Sequence, residues 1–184
     1  MFSLYLTGDE NKDRDIVLEY AEASLLKGSD VFSFIADLSN VSALLFWFLK
    51  DINWIGFYLV RGEALVLGPF QGEPACSTIP FSKGVCGKCA REERTIIVPD
   101  VEKFPGHIAC SSLSRSEIVI PLFKDGRLWG VMDTDSPRVE RFGEEDRAFL
   151  EKVCSLISPL YPELLKELGK REYHHGTKAF EGDE

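Results

Sequence analysis

Apolar residues recur at helical spacing twice near the amino terminus, and then the period changes. Leu18, Ala21 and Leu25 predict a helix over 15–27 that stops at Gly28. A second helix, capped by Ser29 or Asp30, carries Leu38, Val41, Leu45 and Phe48 along one face. Residues 55–60 and 64–67 then read as a β-hairpin joined by Arg61, Gly62 and Glu63. A short helix over 84–94, a strand over 95–98 and a loop over 104–114 around Pro105 and Gly106 follow. A loop of that length inside a compact domain carries function more often than not. Strands over 117–123 and 127–133 flank Lys124, Asp125 and Gly126, and a last helix starts near Gly143. Its first turn holds Glu144, Glu145 and Asp146, where the helix dipole favours anions, and Phe149, Val153 and Ile157 form its buried stripe.

This order predicts an α+β fold, an antiparallel sheet with helices packed on it. No repeat and no Gly-rich dinucleotide or phosphate-binding fingerprint interrupts it. The simplest partition is one domain over 30–160, a leading helical segment over 1–29, and a frayed extension over 161–184.

Charge and composition narrow the function classes. With Lys+Arg 21, Asp+Glu 30, a net charge of -9 and 45% hydrophobic residues, the chain has the balance of a globular protein and not of a nucleic-acid binder. The amino terminus lacks a basic and apolar leader, and the strongest apolar run, 41–49, is short of a bilayer span. A cytoplasmic protein without a membrane partner is the expectation.

The last hairpin gathers carboxylates. Asp133 and Asp135 share a face by strand periodicity, about 7 Å apart. A three-residue Lys124-Asp125-Gly126 loop would pair Glu117 with Asp133 and place Glu117, Val119, Val131, Asp133 and Asp135 together. Ile118, Ile120, Leu122, Leu128 and Met132 would then form the opposite, apolar face. A two-residue loop would send Glu117 to the other side. Like charges facing each other across strands destabilise a sheet, so three clustered acids either point to water at a solvated strand end or meet a cation or share a proton.

Five cysteines, Cys76, Cys86, Cys89, Cys110 and Cys154, are an odd set for a chain that needs no disulfide staple. Cys154, beside Val153, reads as core filling. Three readings stay open for the others: core packing, a zinc site from Cys86, Cys89, His107 and Cys110, or thiol redox chemistry with Cys110 as nucleophile on its irregular loop.

The words of the sequence add to its spacings. Residues 53–59 (NWIGFYL), 67–72 (LGPFQG), 84–87 (GVCG), 106–110 (GHIAC), 116–119 (SEIV) and 133–136 (DTDS) occur in an order that resembles the free methionine-(R)-sulfoxide reductases, single GAF-domain enzymes. The resemblance spans about 30–157 and implies a GAF-type fold with a central antiparallel sheet of about six strands. It implies Cys110 as the catalytic thiolate that attacks the sulfoxide sulfur and becomes a sulfenic acid. Cys76 and Cys86 match the family's other redox cysteines, with Cys76 the first choice to resolve Cys110 as a disulfide. Thioredoxin, supplied indirectly by NADPH, would reduce that bond, with no bound cofactor or metal. Trp54 and Tyr58 match the walls of the substrate's methyl pocket. Glu117, Asp133 and Asp135 match the acids, Glu117 and Asp135 with catalytic roles, and Ile108 and Ala109 fall in the substrate-binding loop.

Elementary chemistry agrees with that assignment. A free amino acid presents an ammonium group to an acid patch, which a methionine inside a protein does not. Three close carboxyls cannot all ionise easily, so one can stay neutral and protonate the sulfoxide oxygen. Cys89 has no role carried over, although with Cys86 near a helix start a Cys86–Cys89 disulfide or shuttle is conceivable. His107 reads as a loop anchor. The helical segment before Asn53 is compatible with a homodimer. The competing function is a non-catalytic GAF module that senses a small ligand or a redox change.

Overall fold

A computed structural model describes residues 3–106 and 113–165 of the chain. Helix α1, Glu10–Ser24, begins earlier than the apolar spacing suggests, because Asp9 caps it by accepting from the backbone N–H groups of Asn11 and Lys12. The buried Asp13 carboxylate also ties down the preceding segment, accepting from Thr7 N at 2.6 Å and Gly8 N at 3.0 Å. Helix α2, Val31–Phe48, is capped by Asp30 and buries Phe34, Leu38, Val41 and Leu45. With a mean hydropathy of 1.6 it is long and apolar enough to cross a bilayer, unlike the shorter run seen in sequence. Its inner face is nevertheless packed into the protein core.

Strands β1, Trp54–Arg61, and β2, Ala64–Gly72, form the first hairpin. Arg61 pairs with Ala64, so the turn is Gly62 and Glu63 alone, and Gly62 takes the left-handed φ of 60° that such a turn requires. A three-residue edge strand, β3, Thr78–Pro80, follows, which the apolar pattern does not announce. Helix α3, Gly84–Glu92, and strand β4, Ile96–Val98, lie close to their expected spans. Strands β5, Ser116–Lys124, and β6, Arg127–Ser136, and helix α4, Glu144–Ile157, complete the fold. The sheet has six strands, all neighbours antiparallel, in the order β3-β2-β1-β6-β5-β4.

Two apolar layers lie on opposite faces of this sheet. On one, α1, α2 and α4 cover Ile55, Phe57, Ile118, Ile120, Leu122 and Met132. Val17 and Ala21 of the leading segment belong to this same layer, as does Cys154, whose Sγ lies 3.9 Å from Met132 Sδ. Tyr161, from the expected carboxy-terminal extension, is buried there too and stacks on Trp129. On the other face, α3 covers Val119 and Val131 together with Trp54 and Tyr58.

The β5–β6 register corrects the expected one. The turn is two residues, Asp125 and Gly126, with Lys124 paired to Arg127. Alone, that turn would put Glu117 on the face away from the aspartates. A bulge between Leu122 and Phe123 restores the parity: Leu122 pairs with Gly130 and Phe123 with Leu128, so Trp129 is the extra residue. Glu117 therefore faces Asp135, not Asp133, and Asp133 faces Val119. The bulge also sends Trp129 into the helix-covered layer, where its Nε1 donates to Ser158 O at 3.2 Å. Leu128, expected in that layer, packs on the opposite one.

Candidate active site

The face covered by α3 carries the chemistry. Strand pairing sets Trp54, Asp135 and Glu117 in one row across β1, β6 and β5, and Gly56, Asp133 and Val119 in the next. Period-two alternation then brings all three acids and both aromatic residues to a single surface, as the sequence suggests. Glu117 and Asp133 are buried, at 5% and 6% exposure, and Asp135 is half-buried.

Burial is the largest influence on each of these three carboxyls. It pushes all three upward. Asp133 is raised to about 6 by its desolvation, against the hydrogen bonds it accepts from Cys86, Glu117 and the Thr134 backbone. Glu117 is raised well above the ordinary carboxyl range by burial first, then by the charges of Asp133 and Asp135. A side-chain hydrogen bond joins Glu117 and Asp133, so the two carboxyls share protons as a pair. Asp135 is raised by burial and by Asp133, and is relieved in part by a hydrogen bond from Ser114. Ser114 Oγ in turn accepts from Asn53 Nδ2 at 3.2 Å. The trio titrates as a unit and binds protons more tightly than ordinary carboxyls do.

Beside the acids stands an aromatic stack. Trp54 lies over Tyr58 with ring centroids 5.9 Å apart and over Phe70 at 5.4 Å. Gly56 makes this possible. A Cβ there would lie 2.4 Å from Phe70 Cβ and 2.7 Å from the Trp54 ring, so only glycine leaves room for the indole to lie across the strand. The segment between β2 and β3 anchors both rings: Trp54 Nε1 donates to Glu73 O and the Tyr58 hydroxyl to Cys76 O, each at 3.1 Å. Trp54, Tyr58, Glu73, Pro74, Ala75, Asp133 and Asp135 line one small cavity. Burial, then the charge of Asp133, keeps the Tyr58 phenol protonated. Phe70 and Gly56 lie within the matched sequence words, yet neither carries a titratable group that would single it out.

The cysteines separate. Cys76 is disulfide-bonded. Cys86, Cys89 and Cys154 are buried free thiols. Cys86, the third residue of α3, places Sγ 3.8 Å from Glu117 Oε1. A thiolate favoured by the helix start does not result: burial first, and then the charges of Asp133 and Glu117, push this thiol well up. The Cys86–Cys89 disulfide is likewise not formed, and Cys89 turns its thiol to the carbonyl of Val119 at 3.6 Å. As potential metal ligands, Cys86, Glu117 and Asp133 offer atoms within 4.8 Å of one another, a group that leaves Cys89 out. His107, Ile108, Ala109 and Cys110 lie outside the described residues. Gly106 and Ser114, on either side, place that loop's ends at α3 and at the acids: Gly84 N donates to Gly106 O at 3.2 Å, and Ser114 bonds Asp135.

The arrangement can hold a small cationic molecule against the acids, with an apolar tail on the aromatic plates, and can supply a proton from a neutral carboxyl. Comparison with known proteins bears on the chain as a whole. The GAF domain family matches residues 28–159. The free methionine-R-sulfoxide reductase of Saccharomyces cerevisiae is 44% identical, over 80% of this chain and 87% of its own. The enzyme of the same name from Escherichia coli is 49% identical, over 68% of this chain and 76% of its own. The X-ray structure of free methionine-R-sulfoxide reductase from Neisseria meningitidis in complex with its substrate is 40% identical. It covers 91% of this chain and 99% of that one, with a TM-score of 0.81.

Proposed function

Because this chain belongs to the GAF-domain family and, within it, to the free methionine-R-sulfoxide reductases, we propose that it reduces free methionine-(R)-sulfoxide through a thiol cycle closed by thioredoxin. The substrate's ammonium settles against Asp133 and Asp135. Its methyl group rests on Trp54 and Tyr58, with Ile108 and Ala109 on the facing loop. Glu117, protonated, donates to the sulfoxide oxygen with Asp135 assisting, which makes the sulfur electrophilic.

The Cys110 thiolate attacks that sulfur. The substrate's sulfur–oxygen bond breaks as the oxygen passes to the Cys110 sulfur with the proton from Glu117, so methionine leaves and Cys110 is left as a sulfenic acid. The Cys76 thiol attacks the sulfenic sulfur and releases water, so the pair of thiols has given up two electrons and become a disulfide. Thioredoxin's dithiol, regenerated at the expense of NADPH, reduces that disulfide by exchange in the cytosol. Cys76 as the resolving partner is supported by its disulfide, while Cys86, Cys89 and Cys154 remain free. Cys86 enters as a protonated thiol beneath the acids and not as an attacking group, because burial and two carboxyls oppose its ionisation. A homodimer would cover the outer face of α2, where Phe32, Ile35 and Trp47 are exposed.

The observation that carries the reading is the buried acid trio set beside an aromatic stack. The test is an assay of the purified protein with resolved free sulfoxide diastereomers, thioredoxin, thioredoxin reductase and NADPH. NADPH oxidation with the R form alone is expected, and none with the R form would refute the proposal.

A further inference from the structure

The CxxC of α3 looks like a metal hook in sequence, but the fold takes the pair apart. Cys89 is turned to the Val119 carbonyl, and Cys86 to a carboxylate. What the fold assembles instead is one thiol and two carboxyls, Cys86, Glu117 and Asp133, from three different elements, all buried and with ligand atoms within 4.8 Å of one another. A second observation is independent of the clustering. Asp133 Oδ1 is buried, on a side chain 6% exposed, and has no hydrogen-bond partner among the described residues. An orphaned carboxylate oxygen in a dry site is costly, and a cation removes that cost.

We infer that Cys86 Sγ, a Glu117 oxygen and an Asp133 oxygen form a binding site for one thiophilic divalent cation, zinc or cadmium. One sulfur and two oxygens suit a borderline-soft ion and not magnesium or calcium, which take oxygen ligands only. Binding exchanges the Cys86 thiol proton, with any proton shared by the carboxyls, for the metal, and those protons leave to solvent. Three protein ligands leave a fourth position open, as in zinc sites that exchange water. The ion is an external ligand and not a resident cofactor. On the functional reading above it would exclude the substrate's ammonium from Asp133 and inhibit, but the binding itself does not depend on that reading.

The experiment is a cadmium titration of the oxidised full-length protein, with Cys76 held in its disulfide, followed by the ultraviolet sulfur-to-cadmium charge-transfer band. One equivalent is expected. Cys86→Ser should abolish the band and Cys89→Ser should leave it unchanged. Asp133→Asn should weaken binding at least about ten-fold, since changes one shell further out already cost about 10–100-fold. X-ray absorption on the zinc-loaded wild-type protein needs no variant to fold, and should report a single sulfur at about 2.3 Å with oxygens at about 2.0–2.2 Å. No band at stoichiometric cadmium, a band that survives Cys86→Ser, or two sulfurs around zinc would overturn the assignment.

Discussion

The two faces of this sheet are built by the same strands and obey different rules. On the face under α1, α2 and α4, each inward residue of β5, Ile118, Ile120 and Leu122, meets apolar neighbours. One position along, on the face under α3, Glu117 is equally buried and meets two aspartates and a thiol. The first face is matched in the free protein and supplies the stability from which the fold is held together. The second gathers carboxyls whose charge is penalised by burial, and on the proposed reading a ligand completes it. Burial therefore does not distinguish structure from function here, whereas the satisfaction of what is buried does.

That contrast can be broken in order of expected effect. Cys110→Ser should lower turnover of free methionine-(R)-sulfoxide by at least about a thousand-fold, as loss of a nucleophile does, with thermal unfolding unchanged. Retained activity would remove Cys110 from its role. Two adjacent residues give the sharpest pair. Ile118→Ala should destabilise the protein by about 2–5 kcal/mol, measured by urea unfolding. Glu117→Gln should leave stability equal or higher above neutral pH while cutting kcat about 10²–10⁴-fold through loss of the general acid.

The pH dependence has a definite sign. An acid whose folded pKa is raised binds more protons folded than unfolded, so stability falls as pH rises from the ordinary carboxyl value near about 4 through the folded value, about 6 for Asp133. The free protein should thus lose stability across that interval, and Asp133→Asn should flatten the loss. Methionine, whose ammonium neutralises the charged acids, should raise the melting temperature more at alkaline than at acidic pH. Gly56→Ala, which forces a Cβ into Phe70 and the Trp54 ring, should cost about 1–3 kcal/mol and raise KM more than it lowers kcat. The smallest effect belongs to Cys89→Ala, which should leave turnover within about two-fold. Its thiol faces a backbone carbonyl outside the acid group.

How much of this was legible in the chain follows from what local patterning encodes. Period-two alternation puts Asp133 and Asp135 on one face, the expected three-residue turn adds Glu117, and the structure brings all three together by another route. The pairing was missed because two irregularities cancel: a two-residue turn shifts the parity and the bulge at Trp129 shifts it back. A bulge is fixed by the indole's fit against Tyr161 and Phe34, which are remote in sequence. The β3 strand is three residues at an edge, too short to show a period. The early start of α1 was written in Asp9 and Asp13, polar groups that an apolar count passes over. Cys86 illustrates a further limit. Its place at a helix start suggests an activated thiolate, but only the fold reveals the buried carboxyls that keep it protonated. Phe70 and Gly56 shape the aromatic stack by contact across strands, which no single-strand pattern carries.

The central claim is that the buried acids await an ammonium group. The most direct measurement compares free L-methionine-(R)-sulfoxide with its N-acetyl derivative, which has the same sulfoxide and no positive charge, in the thioredoxin-coupled assay. The account predicts NADPH oxidation with the free amino acid and essentially none with the acetylated one. Equal kcat/KM for the two would contradict it.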